Sequence, residues 1–175
     1  MIDFGFGVKL CHLSEPETLN KHRNHPRVRR WCRQSDLIGS HEQIRWMEKI
    51  GKDDSVRMYD LITTAKGVDE KIGVCGLTSI DRVNSRAELS LYVFPDFMGY
   101  GYGLAGLKTL IKHAFKNQNL NSVYVEVIDF DNHPGKSLVT PLGLVYEGKR
   151  RKFYFKDGSY RDASLYSLMS DECSF

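Results

Sequence analysis

Three glycines at alternate positions, in Met98-Gly99-Tyr100-Gly101-Tyr102-Gly103-Leu104, constrain this chain more than any other feature. They stand between an alternating run, 86–94, that reads as a strand and a run with Leu104, Leu107, Ile111 and Ala114 at helical spacing. Such a loop leaves backbone N–H groups uncovered, and the following helix adds positive potential at its N-terminus. Together they make a site for a phosphate or pyrophosphate. It is not a P-loop, because no Gly-Lys-Ser/Thr follows. A dinucleotide-binding fold would place such a loop after the first strand of a parallel sheet, whereas here several strand-like runs precede it. On these residues alone, an anion site and a merely structural turn stand level.

The rest of the chain organises around that loop. Residues 6–13 read as a short strand. Residues 16–24 and 40–51 read as helices, the second with Ser40 able to cap and with Ile44, Met47 and Ile50 near one face. Three strand-like runs follow, 55–65, 71–82 and 86–94, separated by Lys66-Gly67 and Asn84-Ser85, the pattern of an antiparallel meander. After the loop helix, 103–117, the run 122–130 reads as a buried strand. Residues 133–141 form a short helix entered through Pro134, and 144–156 and 160–169 flank the hairpin signal Lys156-Asp157-Gly158. The expected order is βααβββαβαββ, an α+β chain with 1–175 as one domain.

The formal net charge of +3 is informative only once it is localised. Residues 21–33, KHRNHPRVRRWCR, and 149–152, KRRK, hold ten of the 25 bases, which leaves 15 bases against 22 acids elsewhere. Two basic segments on an acidic body point to an anionic ligand. The segment 21–33 has three readings: a solvated face, a nucleic-acid contact disfavoured by the single interleaved aromatic Trp31, or a guanidinium fork for a substrate diphosphate. KRRK on a strand would alternate faces, half of it solvated. Four scattered cysteines (Cys11, Cys32, Cys75, Cys173) without a CxxC pair read as reduced thiols of a cytoplasmic protein. No apolar run of membrane-spanning length is present, and Met1-Ile2-Asp3-Phe4-Gly5 does not read as the start of a secretory signal, so neither a membrane role nor secretion is expected. His22 and His25 have helical spacing without a nearby carboxylate or thiolate partner, so no metal site is expected.

The stretch from Ile72 to Met169 resembles the GNAT superfamily of N-acetyltransferases. The matching residues are IGVCGLTSIDRVNSRAELSLYVFPDFMGYGYGLAGLKTLIKHAF, LNSVYVEVIDFDN and LGLVYEGKRRKFYFKDGSYRDASLYSLM. The resemblance implies a GNAT-like fold with a mixed, mostly antiparallel sheet, in which the strand before the loop splays from the strand after the loop helix. It also implies acetyl-CoA as co-substrate, with the pantetheine arm in that gap and the pyrophosphate on the loop amides. The cofactor-binding set it implies is Tyr92, Val93, Met98, Gly99, Tyr100, Gly101, Tyr102, Gly103, Leu104 and Asn132. Two positions depart from the family pattern. Met98 stands where Arg or Gln is usual, and Val139 stands where many members carry a tyrosine that protonates the departing thiolate.

Arg23-Asn24-His25-Pro26-Arg27-Val28-Arg29, with His41 and Trp46 after it, is similar to a subgroup that acetylates the 4-amino group of a nucleotide-activated sugar in the pseudaminic acid pathway. That resemblance implies Arg23, Asn24, Arg29, Arg30 and His41 as substrate-binding residues. The tail is similar more widely, to spermidine and to ribosomal-protein N-terminal acetyltransferases. The resulting expectation is acetyl transfer to a primary amine of an anionic nucleotide-linked sugar. A protein N-terminus or polyamine is the alternative acceptor, and a non-catalytic acyl-CoA- or nucleic-acid-binding module is the alternative of another class. A homodimer is left open.

Acetyl transfer to an amine that is mostly charged at neutral pH needs a base. Glu88 shares a strand face with Ser90, Tyr92 and Phe94 and is the first candidate; its plain reading is a cross-strand partner for Arg86 or Arg82. Glu126 interrupts the apolar run Val123, Val125, Val127 and is the second; its plain reading is a solvated or ion-paired carboxylate.

Overall fold

Alternation along the strand before the glycine loop decides how the layers form, because its two faces carry different side chains. The computed structural model describes residues 1–65, 67–130 and 133–175. The strands are β1 (Ile2–Asp3), β2 (Val8–His12), β3 (Arg57–Thr63), β4 (Glu70–Asp81), β5 (Arg86–Val93), β6 (Ser122–Ile128), β7 (Val145–Lys156) and β8 (Ser159–Met169). The helices are α1 (Pro16–Asn24), α2 (Pro26–Arg29), α3 (Ser40–Ile50), α4 (Tyr102–Lys116) and α5 (Lys136–Val139). The strands form one mixed sheet in the order β1-β2-β3-β4-β5-β6-β8-β7, antiparallel throughout except for β5 beside β6.

On β5, Ala87, Leu89 and Leu91 point to the face covered by α4, where Leu107, Leu110, Ile111 and Ala114 complete the main core with Leu61, Ile72 and Leu77. Tyr92 and Phe94 point to the other face, where Leu13, Leu19, Val74 and the α3 residues Trp46, Met47 and Ile50 gather. The result is a sheet between α4 and the α1–α3 layer, the α+β arrangement expected from the element order.

The differences from expectation are local. Gly5 and Gly7 take positive φ (80° and 81°), which delays the start of the strand expected over 6–13 to Val8 and leaves Ile2–Asp3 as a separate short one. Pro26 opens the four-residue α2, with the His25 ring accepting from the Arg27 amide at 3.2 Å, so the segment after α1 turns again instead of looping freely. The short helix after β6 is confined to Lys136–Val139 and tightens into a 3-10 turn at Thr140–Leu142.

Gly76 marks a close approach of β3 and β4. A Cβ there would fall on the Met58 sulfur and within 2.5 Å of the Arg57 carbonyl oxygen. Gly76→Ala should therefore cost about 2–3 kcal/mol, read as a lower urea midpoint at unchanged slope.

Three imidazoles are held below their ordinary pKa mainly by burial. They are His22, stacked on Phe94 at 3.8 Å, His113, bonded to the Tyr59 hydroxyl at 2.9 Å, and His133. The unfolded chain takes up these protons near pH 6.5 while the fold resists, so the stability they contribute is complete above pH 6.5 and falls as pH drops below it. Melting temperature should decline between pH 6.5 and 5, with a shallower slope in His113→Gln.

Candidate active site

β5 and β6 run side by side only at Arg86–Ser122, Ala87–Val123 and Glu88–Tyr124. Beyond that they part, β5 keeping its register with β4 to Val93 and β6 keeping its register with β8 to Ile128. The Phe94 amide donates to Ile72 O on the β4 side at 2.8 Å. Alternation then turns the amides and carbonyls of Leu89, Leu91 and Val93 toward the gap that β6 has left. This is the splay expected between the strands flanking the glycine loop.

At the open end, a 3-10 turn at Pro95–Phe97 delivers the chain into the loop. Gly99 and Gly101 take φ values of 91° and 82°, and an added Cβ at either would meet nothing within 4 Å. Both positions require glycine for their backbone shape, and both face open space. Gly101 caps α4, and the first intrahelical bond there runs from Ala105 N to Gly101 O at 3.1 Å. The Tyr102, Gly103 and Leu104 amides lie ahead of that bond and point out of the helix end. The donor set and the space fit a pyrophosphate. Gly103 instead serves packing, its Cβ direction meeting Leu91, Leu138 and Val93 at 3.6–3.8 Å, which seats α4 on β5. Met98 is half-buried and offers no side-chain donor, and Tyr100 is exposed. The Tyr92 ring lies on the far face with Phe94, and burial pushes its phenol well above the ordinary range. Val139 is buried in the core beside Leu142 and Leu144, so its side chain supplies no proton donor. Asn132 lies outside the described residues.

Glu88 and Glu126 are brought together by one guanidinium. Arg33 donates through Nη1 to Glu88 Oε2 at 3.2 Å and through Nη2 to Glu88 Oε1, and that Nη2 lies 3.9 Å from Glu126 Oε1. Thr78 Oγ1 reaches Glu88 at 3.5 Å. Glu126 accepts the Tyr154 hydroxyl at Oε1 and pairs with Arg150 Nη1 at 3.0 Å through Oε2. Burial, then the hydrogen bond to Glu126, raises the Tyr154 phenol, so it stays an O–H donor at neutral pH. Glu88 is only 7% exposed. Its cross-strand reading is corrected, because Arg86 pairs with Asp81 at 3.3 Å and Arg82 bonds Gln118 instead. The bland reading of Glu126 as ion-paired holds, with 6% of its side chain exposed.

The basic segment is anchored by a side chain the sequence did not single out. Lys156, 3% exposed, donates its ammonium to the carbonyls of Arg29, Cys32 and Gln34 at 3.2, 2.8 and 2.6 Å. The β7 end thus fixes the loop that carries Arg33. Lys156→Met should remove about 3 kcal/mol of stability by leaving those carbonyls without their cation. A chemical-denaturation midpoint checks it, and no change would show that the clamp is dispensable.

The five predicted acceptor residues are placed differently from one another. Arg29 and Arg30 line a shallow cavity of about 340 Å³ with Pro26, Ser35, Lys156 and Asp157. Asn24 spends its whole amide on the Ile38 backbone, donating to O and accepting from N at 2.8 Å each, and so shapes the loop. Arg23 bonds Gln34 at 3.2 Å and lies over Trp46. His41 sits exposed in the first turn of α3. Sequence reasoning listed Arg33 only within the fork and missed Tyr154 and Lys156, because strand alternation does not reveal which loop crosses over β5 and β6. Among the described residues no group of three His, Cys, Asp or Glu side chains could hold a metal ion, and no helix is long and apolar enough to cross a membrane.

The chain with this split sheet and glycine-capped helix belongs to the GNAT acetyltransferase family. The family model for an acetyltransferase (GNAT) domain matches residues 10–145. The protein is an acetyl-CoA-dependent N-acetyltransferase. It is 25% identical over 168 residues to an uncharacterized N-acetyltransferase p20 of Bacillus licheniformis, covering 94% of this chain and 93% of that one. It is 30% identical over 100 residues to the putative ribosomal N-acetyltransferase YdaF of Bacillus subtilis, covering 57% of this chain and 54% of that one. It is 30% identical over 94 residues to the spermidine N(1)-acetyltransferase of Escherichia coli, covering 54% and 50%. The chain thus spans about half the length of these last two. The fold is shared with the spermidine N-acetyltransferase of Vibrio cholerae solved with CoA and spermine, at a TM-score of 0.87 and 19% identity, covering 95% of this chain and 97% of that one.

Proposed function

We propose that this enzyme acetylates a primary amine on a molecule that also carries an anionic group, with a nucleotide-linked amino sugar as the leading acceptor. The observation that carries this reading is the guanidinium content of the basic segment: Arg29 and Arg30 line a shallow cavity, and Arg33 from the same segment pairs with Glu88 while Arg150 pairs with Glu126. Guanidiniums at this density favour a phosphate-bearing ligand.

Acetyl-CoA supplies an activated thioester. The loop amides from Gly99 to Leu104 would face its pyrophosphate, and the open-edge groups of Leu89, Leu91 and Val93 would meet its arm. In this reading Glu88 takes the proton of the acceptor ammonium, and Glu126, joined to it through Arg33, is the second carboxylate. Backbone N–H groups on the same edge are the donors available to a developing oxyanion. Since Val139 offers no phenol, the thiolate leaves without one, which an ordinary thiol pKa near 8.5 permits.

A polyamine acceptor is the second reading. The spermidine acetyltransferases among the relatives and solved structures favour it over the nucleotide-linked sugar, whereas the arginine-lined acceptor side opposes it. A protein N-terminus is the third, supported by the likeness to the putative ribosomal N-acetyltransferase YdaF. Mass detection of products from a nucleotide-linked 4-amino sugar, spermidine and a free-amine peptide separates the three. Fast turnover confined to spermidine would discard our preferred acceptor. A homodimer, if formed, has an exposed edge available at β7 with Phe153 and Phe155, and sedimentation velocity decides it.

A further inference from the structure

The two buried carboxylates differ in what holds them. The nearest partners of Glu126, Arg150 and Tyr154, are built on β7, with Arg33 farther off at 3.9 Å. The charged partner of Glu88 among the described residues is Arg33, which comes from the loop between α2 and α3 and keeps 45% of its side chain in solvent. Arg33 therefore occupies the position at Glu88 that an acceptor ammonium must reach, and its place on a loop with its side chain half in solvent gives it room to leave.

Once moved, the guanidinium needs a new anion. A bare polycation brings none, and it approaches Arg29, Arg30 and Arg150 as well. An acceptor with a phosphate near its amine satisfies the displaced Arg33 and delivers its ammonium to Glu88 in the same event.

We propose that Arg33 is the acceptor-selecting residue: it shields Glu88 until an anionic group on the acceptor draws it away. This rests on the anionic-acceptor reading above and names the side chain that enforces it. In the productive event the acceptor ammonium passes one proton to Glu88, the neutral amine forms the new C–N bond as the C–S bond breaks, and the nitrogen's second proton passes through solvent to the departing thiolate, which leaves as the thiol.

The test measures kcat and KM for the full chain with acetyl-CoA and three acceptors: a nucleotide-linked 4-amino sugar, the same amino sugar freed of its nucleotide, and spermidine. The wild type should prefer the linked sugar by about tenfold or more in kcat/KM. In Arg33→Met that ratio should collapse toward one. The loss should appear in KM for the linked sugar, with a several-fold gain in kcat/KM for the free sugar and for spermidine. Arg33→Lys, which keeps charge without the fork, should fall between. A tenfold wild-type preference that Arg33→Met leaves intact overturns the role of Arg33 while the acceptor class stands. A wild-type ratio of one, or no turnover of either sugar, overturns the acceptor class, and Arg33→Met without a gain on spermidine then overturns the shielding too. Should Arg33→Met fail to fold by thermal melt, Arg33→Gln, which retains a donor toward Glu88, serves in its place.

Discussion

Glu88→Gln should lower kcat/KM for acetyl transfer by about a hundredfold or more, the range spanned by loss of a positioned general base. The substitution keeps the volume and one acceptor oxygen for Arg33, and Arg33 is half-exposed and can turn to water, so the fold should survive it. What disappears is the negative charge able to receive the ammonium proton at the root of the split between β5 and β6. Glu126→Gln is the necessary companion. Its carboxylate is locked by Arg150 and Tyr154 on β7, so we expect a loss nearer tenfold, arising from a disturbed cluster. If Glu126→Gln proves the more severe, the assignment of the base is reversed. If both variants keep wild-type rates, neither carboxylate is the base. Steady-state rates at saturating acetyl-CoA, with melting curves alongside, decide among these.

Gly101→Val should raise KM for acetyl-CoA by at least tenfold while kcat changes much less. Gly101 holds φ at 82°, in the left-handed region, where an L side chain costs roughly 1–2 kcal/mol. No atom lies within 4 Å of the added Cβ, so that backbone strain is the whole structural cost and the protein should remain folded. The new side chain instead projects into the space in front of the α4 amides, where a pyrophosphate would sit. Calorimetric titration with acetyl-CoA reads the loss directly. An unchanged affinity would place the pyrophosphate elsewhere.

Much of this architecture is legible along the chain. Alternation in 86–94 assigns Ala87 and Leu89 to one face and Tyr92 and Phe94 to the other, and both assignments match the two cores. The loop and helix signals around Gly101 likewise place the capped end of α4 within a residue. These are local properties, set by a period of two or 3.6 and by the backbone freedom of glycine. The four-residue α2 and the two-residue β1 are too short to carry a period, and they are the elements that periodicity passed over.

The candidate site divides along the same line. Local chemistry names the glycine cradle, nominates Glu88 and Glu126, and marks 21–33 as a basic segment. It does not say that Glu88 meets Arg33, 55 residues away, or that Glu126 meets Tyr154, 28 residues away. Those pairs exist because β6 leaves β5 after Glu88 while staying paired with β8 along its whole length, and because Lys156 at the end of β7 pins the loop that carries Arg33. Strand order and the landing point of a loop are set by long-range packing and by the burial of one lysine against three carbonyls, and no nearest-neighbour pattern encodes either.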